Sequence, residues 1–295
     1  MAFDIQLGRD SSDKKLFGDK GFAFLGKGYV KMGQYTSLSN RILLDVVRSH
    51  IILVAGKRGS GKSYTLGVIA EEISSLPKEI SQNIGSLIFD TMGIYWTMKF
   101  ENEKDKELLF DWQLKAKNLP VKIFVPFGHY DSYLNKGILA DRKFSLDVSE
   151  MNPEDWVITF GLDIINPIAV LIERTVTAME ESGDFTIEDI INSIEKDEKS
   201  SEDVKNAAVS FFEAAKTWGI FAEENSEATK IEELISGGTT SVLDLSVYNS
   251  IGAFNVRALV ISIVSRKIFN QRMDARKKEE IDSVSRGFDY LSKIK

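Results

Sequence analysis

The chain has no cysteine and only two histidines, His50 and His129, among its 295 residues. The first absence excludes disulfides, a thiolate nucleophile and any cysteine-held zinc or iron–sulfur site. The second excludes a multi-histidine metal centre. No uninterrupted apolar run approaches the roughly eighteen residues that a membrane-spanning helix needs. The opening residues, MAFDIQLGRD, lack the basic and apolar stretches of an export signal. These absences predict an intracellular, cytoplasmic protein without a membrane partner. No internal repeat is evident. What remains is an ordinary globular composition, 43% hydrophobic and 27% charged, long enough for one large domain or two small ones.

The net charge of −7 is unevenly spread. Residues 1–48 carry eight basic against five acidic side chains, whereas residues 173–203 carry eleven acids against three bases. Net acidity argues against a surface coated in nucleic acid, although local distribution weighs more than the sum. The run EKDEKSSED at 195–203 reads as a solvated linker between helices.

Residues up to about 20 are rich in Gly, Asp, Ser and Lys and read as loosely held, and GFAFLGKGYVKMG at 21–33 as one or two short strands or a hairpin. HIILVAG at 50–56 is a continuous apolar run with a glycine stop, the pattern of a strand buried on both faces of a parallel sheet. Helical spacing follows over 62–76, with Leu66, Ile69, Ala70 and Ile73 on one face and Pro77 closing it. SLIFD at 86–90, VKIFVPFG at 121–128 and TSVLDLS at 240–246 are further strands, while WVITF at 156–160 fits a strand end or a helix start. Helices are expected over 167–181, 186–194, 201–218 and 228–235, and a long one over 253–283 whose apolar positions run from Val256 to Phe269. Thr186 and Asp189 fit a capping pattern. Strand, helix, strand is the grammar of an α/β sheet that binds ligands at the carboxyl ends of its strands.

Gly56-Lys57-Arg58-Gly59-Ser60-Gly61-Lys62-Ser63 satisfies G-x-x-x-x-G-K-[ST], between the expected strand and helix that this motif requires. Glycines let the backbone curl until its N–H groups face phosphate oxygens, and the following helix adds its N-terminus. Lys62 is placed to reach the β and γ phosphates of ATP, and the Ser63 hydroxyl to ligate Mg2+. Tyr64 and Thr65 complete the candidate nucleotide-binding set. A second carboxylate should stand at another strand end. Asp90 tips its strand, whereas Asp244 lies within one, where capping or pairing is the competing role. His50 reads as a packing residue; His129, just past a strand end, could instead line a nucleotide pocket. Trp112, Trp156 and Trp218 read as core anchors, and Trp96 lies on the ligand side of the sheet.

The segment from Gly21 to about Arg276 resembles the ATPase domain of archaeal HerA-type proteins in the HerA/FtsK group of ring-forming motors. GKRGSGKSYTLGVIAEE at 56–72, IFDTMGIYW at 88–96, VLDLS at 242–246 and FNQRMDARKKEE at 269–280 carry the resemblance. It implies a P-loop NTPase with a RecA-like, mostly parallel sheet. A β-rich segment at 1–48 would precede a core at 49–165 and 237–295, interrupted by a helical insertion at 166–236. It also implies ATP and Mg2+ as cofactors, a hexameric ring, double-stranded DNA in a central channel, a nuclease partner in DNA end processing or repair, and Arg257 or Arg266 reaching across a subunit boundary. The basic positions Arg266, Lys267, Arg272, Arg276, Lys277 and Lys278 are either DNA-facing or a solvated helix face.

The family's Asp-x-His-Gly-Glu-Tyr turn appears here with Met92 and Ile94 at the histidine and glutamate positions, leaving Asp90, Gly93 and Tyr95. The family's Asp-Glu-Ala-His strand would fall after the long helix, where this sequence reaches Lys295. The resemblance therefore implies nucleotide binding with little hydrolysis unless further residues or another polypeptide complete the site. A DNA-translocating ATPase stands first; an ATP-binding clamp or regulatory module and a small-molecule P-loop kinase are the alternatives.

Overall fold

A computed structural model describes residues 3–181, 183–224, 227–249 and 254–293. In chain order the elements are β1 (Ile5–Leu7), α1 (Ser11–Phe17), β2 (Phe22–Met32), β3 (Tyr35–Asp45), α2 (Lys62–Ser74), α3 (Lys78–Ser81), β4 (Ser86–Asp90), α4 (Lys106–Asp111), β5 (Val121–Pro126), α5 (Tyr130–Asn135) and β6 (Arg142–Phe144). They continue with α6 (Pro153–Thr159), α7 (Pro167–Glu180), α8 (Ile187–Glu195), α9 (Glu202–Lys216), α10 (Ile231–Leu234), β7 (Thr240–Asp244) and α11 (Phe254–Lys293). The fold is mixed α/β with a parallel sheet, as a RecA-like ATPase core has, and divides into two compact units.

The first unit comprises Met1–Phe124, Leu139–Asp141 and Ile235–Leu243. It holds two sheets. In one, β2 and β3 form an antiparallel hairpin through the two-residue loop at 33–34, with register shifts between Phe24 and Gly26 and between Lys27 and Tyr29, and β1 adds in parallel to β3. The glycine- and aromatic-rich stretch is thus the first arm of that hairpin. In the other, β7 lies between β4 and β5, and β5 runs parallel to β7 from Val121↔Thr240 to Phe124↔Leu243. All of β7 is buried, the polar Thr240, Ser241 and Asp244 as well as the apolar Val242 and Leu243.

Two expectations about this unit are corrected. The opening residues are not loose: Asp10 caps α1 through the N–H groups of Ser12 and Asp13, and Arg9 and Arg48 tie the segment to partners thirty-five or more residues away. Composition has no access to such long-range pairs. Residues 51–56 form no strand, and Ile51 and Leu53 lie almost fully exposed. An apolar run specifies a segment that gains from cover, but a strand also needs neighbours for its ladder. Here β4, β7 and β5 pair with one another instead.

Gly237 packs against the α3 end of this unit so closely that an added Cβ would stand 2.0 Å from the Gln82 carbonyl oxygen. Backbone cannot yield as a flexible side chain does. Gly237→Ala is therefore expected to destabilise the protein by about 1–3 kcal/mol, read as a lowered urea midpoint at constant slope.

The second unit comprises Val125–Ile138, Arg142–Leu234 and Asp244–Lys295. Trp156 is wholly buried on α6, ringed by Phe160, Phe212 and Phe221 at centroid distances of 4.9–5.6 Å. The ambiguous segment at 156–160 is therefore mostly helix, started by an Asn152–Asp155 capping box with Pro153 in its first turn. Thr186 and Asp189 form the expected reciprocal cap of α8, whose Ile187, Ile190, Ile191 and Ile194 are buried. α11 buries Val256, Leu259, Val260, Ile263 and Val264, but Phe269 is exposed. Its buried stripe ends earlier than the spacing predicts, at Val264. At 40 residues, α11 is roughly 60 Å long.

Candidate functional site

Residues 56–65 curl as the motif requires. Gly59 and Gly61 adopt φ of +79° and +87°, left-handed values that side chains disfavour. Gly61 stands at the N-cap of α2 and, having no side chain, offers no side-chain cap to the first-turn N–H groups. Such a helix start, with its positive dipole end, is a receptor for anionic oxygen. The Lys62 ammonium folds back to donate to the carbonyls of Gly56 and Lys57, both at 2.9 Å. Ser60 Oγ closes over Gly56, where an added Cβ would stand 2.3 Å away. The Thr65 hydroxyl donates to the Gly61 carbonyl at 3.2 Å. Lys57, Arg58 and Tyr64 stand exposed around this turn.

Asp90 is buried at the tip of β4. Its Oδ1 accepts the N–H groups of Met92 at 3.0 Å and Gly93 at 2.8 Å, and its Oδ2 those of Ile94 at 2.7 Å and Tyr95 at 2.9 Å. Both oxygens therefore hold the following turn. That turn delivers the Tyr95 hydroxyl to the Ser63 carbonyl at 3.0 Å, beside the loop. Burial raises the Tyr95 phenol above its ordinary range, although the bond to Ser63 opposes that rise, so it serves as a neutral donor. The link from β4 to the loop is the contact that sequence reasoning missed. Its only signal was the Asp-x-x-Gly-x-Tyr spacing.

Asp244, the basic positions of α11 and His129 lie in the second unit. Asp244 accepts from the Tyr133 hydroxyl at 3.0 Å and the Ser246 N–H at 2.8 Å. Burial pushes the Tyr133 phenol well above its ordinary range. Arg266 makes a two-pronged pair with Asp155, at 3.0 and 2.7 Å, which raises its pKa further, and also donates to the Glu150 carbonyl. Arg257 donates to Asn249 Oδ1. Lys267 pairs with Glu150, Arg272 with Glu279, Arg276 with Glu280 and Lys277 with Asp274. His129 contacts the Trp218 carbonyl at 3.1 Å and packs edge-on against Tyr248. In the first unit, His50 stands 3.3 Å from Asp45, and Trp112 lies beneath the Lys27 ammonium.

Among the described residues, no group of three or more His, Cys, Asp or Glu side chains could hold a metal ion. A Mg2+ at Ser63 would thus take most of its ligands from phosphate oxygens and water, which fits the ion's reluctance to dehydrate. No helix among the described residues is long and apolar enough to cross a membrane.

No curated protein matches the chain. The family model described as the central domain of helicase HerA matches residues 30–268, a span that contains the whole glycine loop, the Asp90 turn and the buried part of α11. With four-fifths of its length so matched, the chain belongs to the HerA helicase central-domain family.

Proposed function

We propose that this protein binds Mg·ATP on residues 56–65 and is the nucleotide-binding part of a motor ATPase that acts on double-stranded DNA. The observation that carries this is the glycine loop itself. Two left-handed glycines, an uncapped helix start and a lysine folded over the turn stand together within the family match. Gly56, Lys57, Arg58, Gly59, Ser60, Gly61, Tyr64 and Thr65 surround the phosphates. Lys62 bears on the β and γ phosphates, Ser63 on the magnesium ion, and Asp90 holds the neighbouring turn. Family membership supports a nucleotide-dependent motor; DNA as the track, a hexameric ring, a nuclease partner and a cytoplasmic location extend it. Arg257 and Arg266 remain the candidates for an arginine reaching a neighbouring subunit's nucleotide. A β-rich segment over 1–48 and a helical insertion over 166–236 in the ATPase core belong to the same proposal.

The test is ATP hydrolysis by the purified oligomer with and without linear duplex DNA. DNA stimulation of several-fold is expected, and hydrolysis that DNA leaves unchanged would count against a translocase. A second reading, an ATP-binding clamp with little turnover, draws on Asp90, whose two oxygens are already occupied by four backbone N–H groups. Tight ATP binding with negligible turnover, with or without DNA, would favour it.

A further inference from the structure

Little packs against the first turn of α2, although that turn carries Lys62 and Ser63. Tyr64, Thr65 and Leu66 are exposed, and the buried residue of the helix is Ala70, about two turns further on. Just ahead, Gly59 and Gly61 lend the backbone the freedom to curl, and with it the freedom to move. On the side facing the segment after the Asp90 turn, α2 borders a cleft of about 910 Å3 instead of a packed surface.

Tyr95 bridges that gap. Its hydroxyl donates to the Ser63 carbonyl at 3.0 Å, and its ring passes Gly67, one turn along, where an added Cβ would stand 3.9 Å from Cε1. Among the described residues, the other side-chain hydrogen bonds of residues 56–65 stay within that stretch, Lys62 to Gly56 and Lys57 and Thr65 to Gly61. Tyr95 is thus the side chain from another segment that ties the loop to the sheet.

Tyr95 is itself firmly placed. It is 8% exposed, and its own N–H is one of the four that Asp90 grips at the tip of β4, a strand paired in turn with β7. A helical carbonyl already accepts from the N–H four residues on. Ser63 therefore does not need Tyr95 to satisfy its carbonyl, and what the second donor supplies is location.

We propose that Tyr95 is a positioning residue for the nucleotide site: through the Ser63 carbonyl it holds the first turn of α2 in the orientation that aims the Ser63 hydroxyl at magnesium. This role rests on the nucleotide-binding function proposed above. Tyr95 needs no contact with phosphate or metal, because it acts through Ser63. Its loss leaves the N–H groups of the loop in place, so the magnesium-dependent share of ATP affinity falls and the metal-free share stays.

The experiment is titration of the full chain with ATP over a series of Mg2+ concentrations and, separately, with ATP in EDTA. Tyr95→Phe keeps the ring and removes only the hydroxyl, so the thermal melt should barely move. It is expected to raise the Mg2+ concentration for half-maximal ATP binding roughly 2- to 13-fold, the worth of one hydrogen bond, and to leave the affinity in EDTA within about twofold. In a Ser63→Ala background, where no hydroxyl remains to be aimed, Tyr95→Phe should add nothing. An unchanged Mg2+ requirement in Tyr95→Phe, an equal loss with and without Mg2+, or a loss that persists in full beside Ser63→Ala would overturn the positioning role while leaving the loop's role intact. A parent chain that binds ATP under neither condition would sink the nucleotide function and the positioning role with it.

Discussion

Lys62→Ala is expected to lower Mg·ATP affinity roughly 10- to 150-fold, the equivalent of about 1.5–3 kcal/mol for losing hydrogen bonds from a charged donor. The ammonium donates to the Gly56 and Lys57 carbonyls, at an exposed turn. A bound polyphosphate offers it anionic oxygens instead, a stronger class of partner. Because both present acceptors face solvent, water can replace the lysine, and the melting temperature should change little. Titration calorimetry together with a thermal melt separates the two effects. Full ATP affinity in the variant would remove Lys62 from the site, and a collapse of the melt would show that its role is structural.

Arg9→Ala is expected to destabilise the chain by about 3–5 kcal/mol, the cost of stranding a buried charge. Arg9 and Asp45 have fully buried side chains and meet at 2.6 Å. The guanidinium also donates to the carbonyls of Gly18 and Lys20 and lies 4.2 Å over the Phe22 ring. Removing it leaves Asp45 with the Val47 N–H and His50. Urea unfolding at neutral pH reads the loss, and a change within 1 kcal/mol would mean that water reaches Asp45 in the variant.

The same pair sets an acid limit. Burial pushes the Asp45 carboxyl up, but hydrogen bonds from Arg9, Val47 and His50 outweigh it and hold the group below its ordinary value of 3.8. The folded state then binds this proton less readily than the unfolded chain. The stabilisation is complete above about pH 4 and is lost as pH falls through the lower folded value. Arg9→Ala should flatten that part of the stability profile, which denaturant midpoints between pH 5 and pH 3 would trace.

Local signals in the sequence match the structure where one segment supplies both the cause and the partner. Thr186 finds its cap three residues on, at Asp189. Gly59 and Gly61, at their places in the glycine motif, take left-handed angles that the lack of a Cβ permits. The apolar stripe of α11 predicted its buried face as far as Val264. It overran at Phe269, because periodicity locates a helix face without saying where the body beneath it stops. Ile51 to Leu53 went further astray, since an apolar strand pattern names no ladder partner.

By itself the sequence determined the α/β alternation, the glycine loop with its lysine and serine, the cap of α8 and the family. All of these depend on residues within a few positions of one another or on an ordered set of short motifs. Only the tertiary structure decided that Asp90 spends both oxygens on its own turn and that Tyr95 reaches Ser63 across 32 residues. It also decided that Arg9 buries itself on Asp45, and that Trp96 and Phe100 line a cleft beside the loop rather than a core. Those are contacts between segments distant in sequence, and their geometry follows from how the elements pack, which no local pattern of residue types encodes.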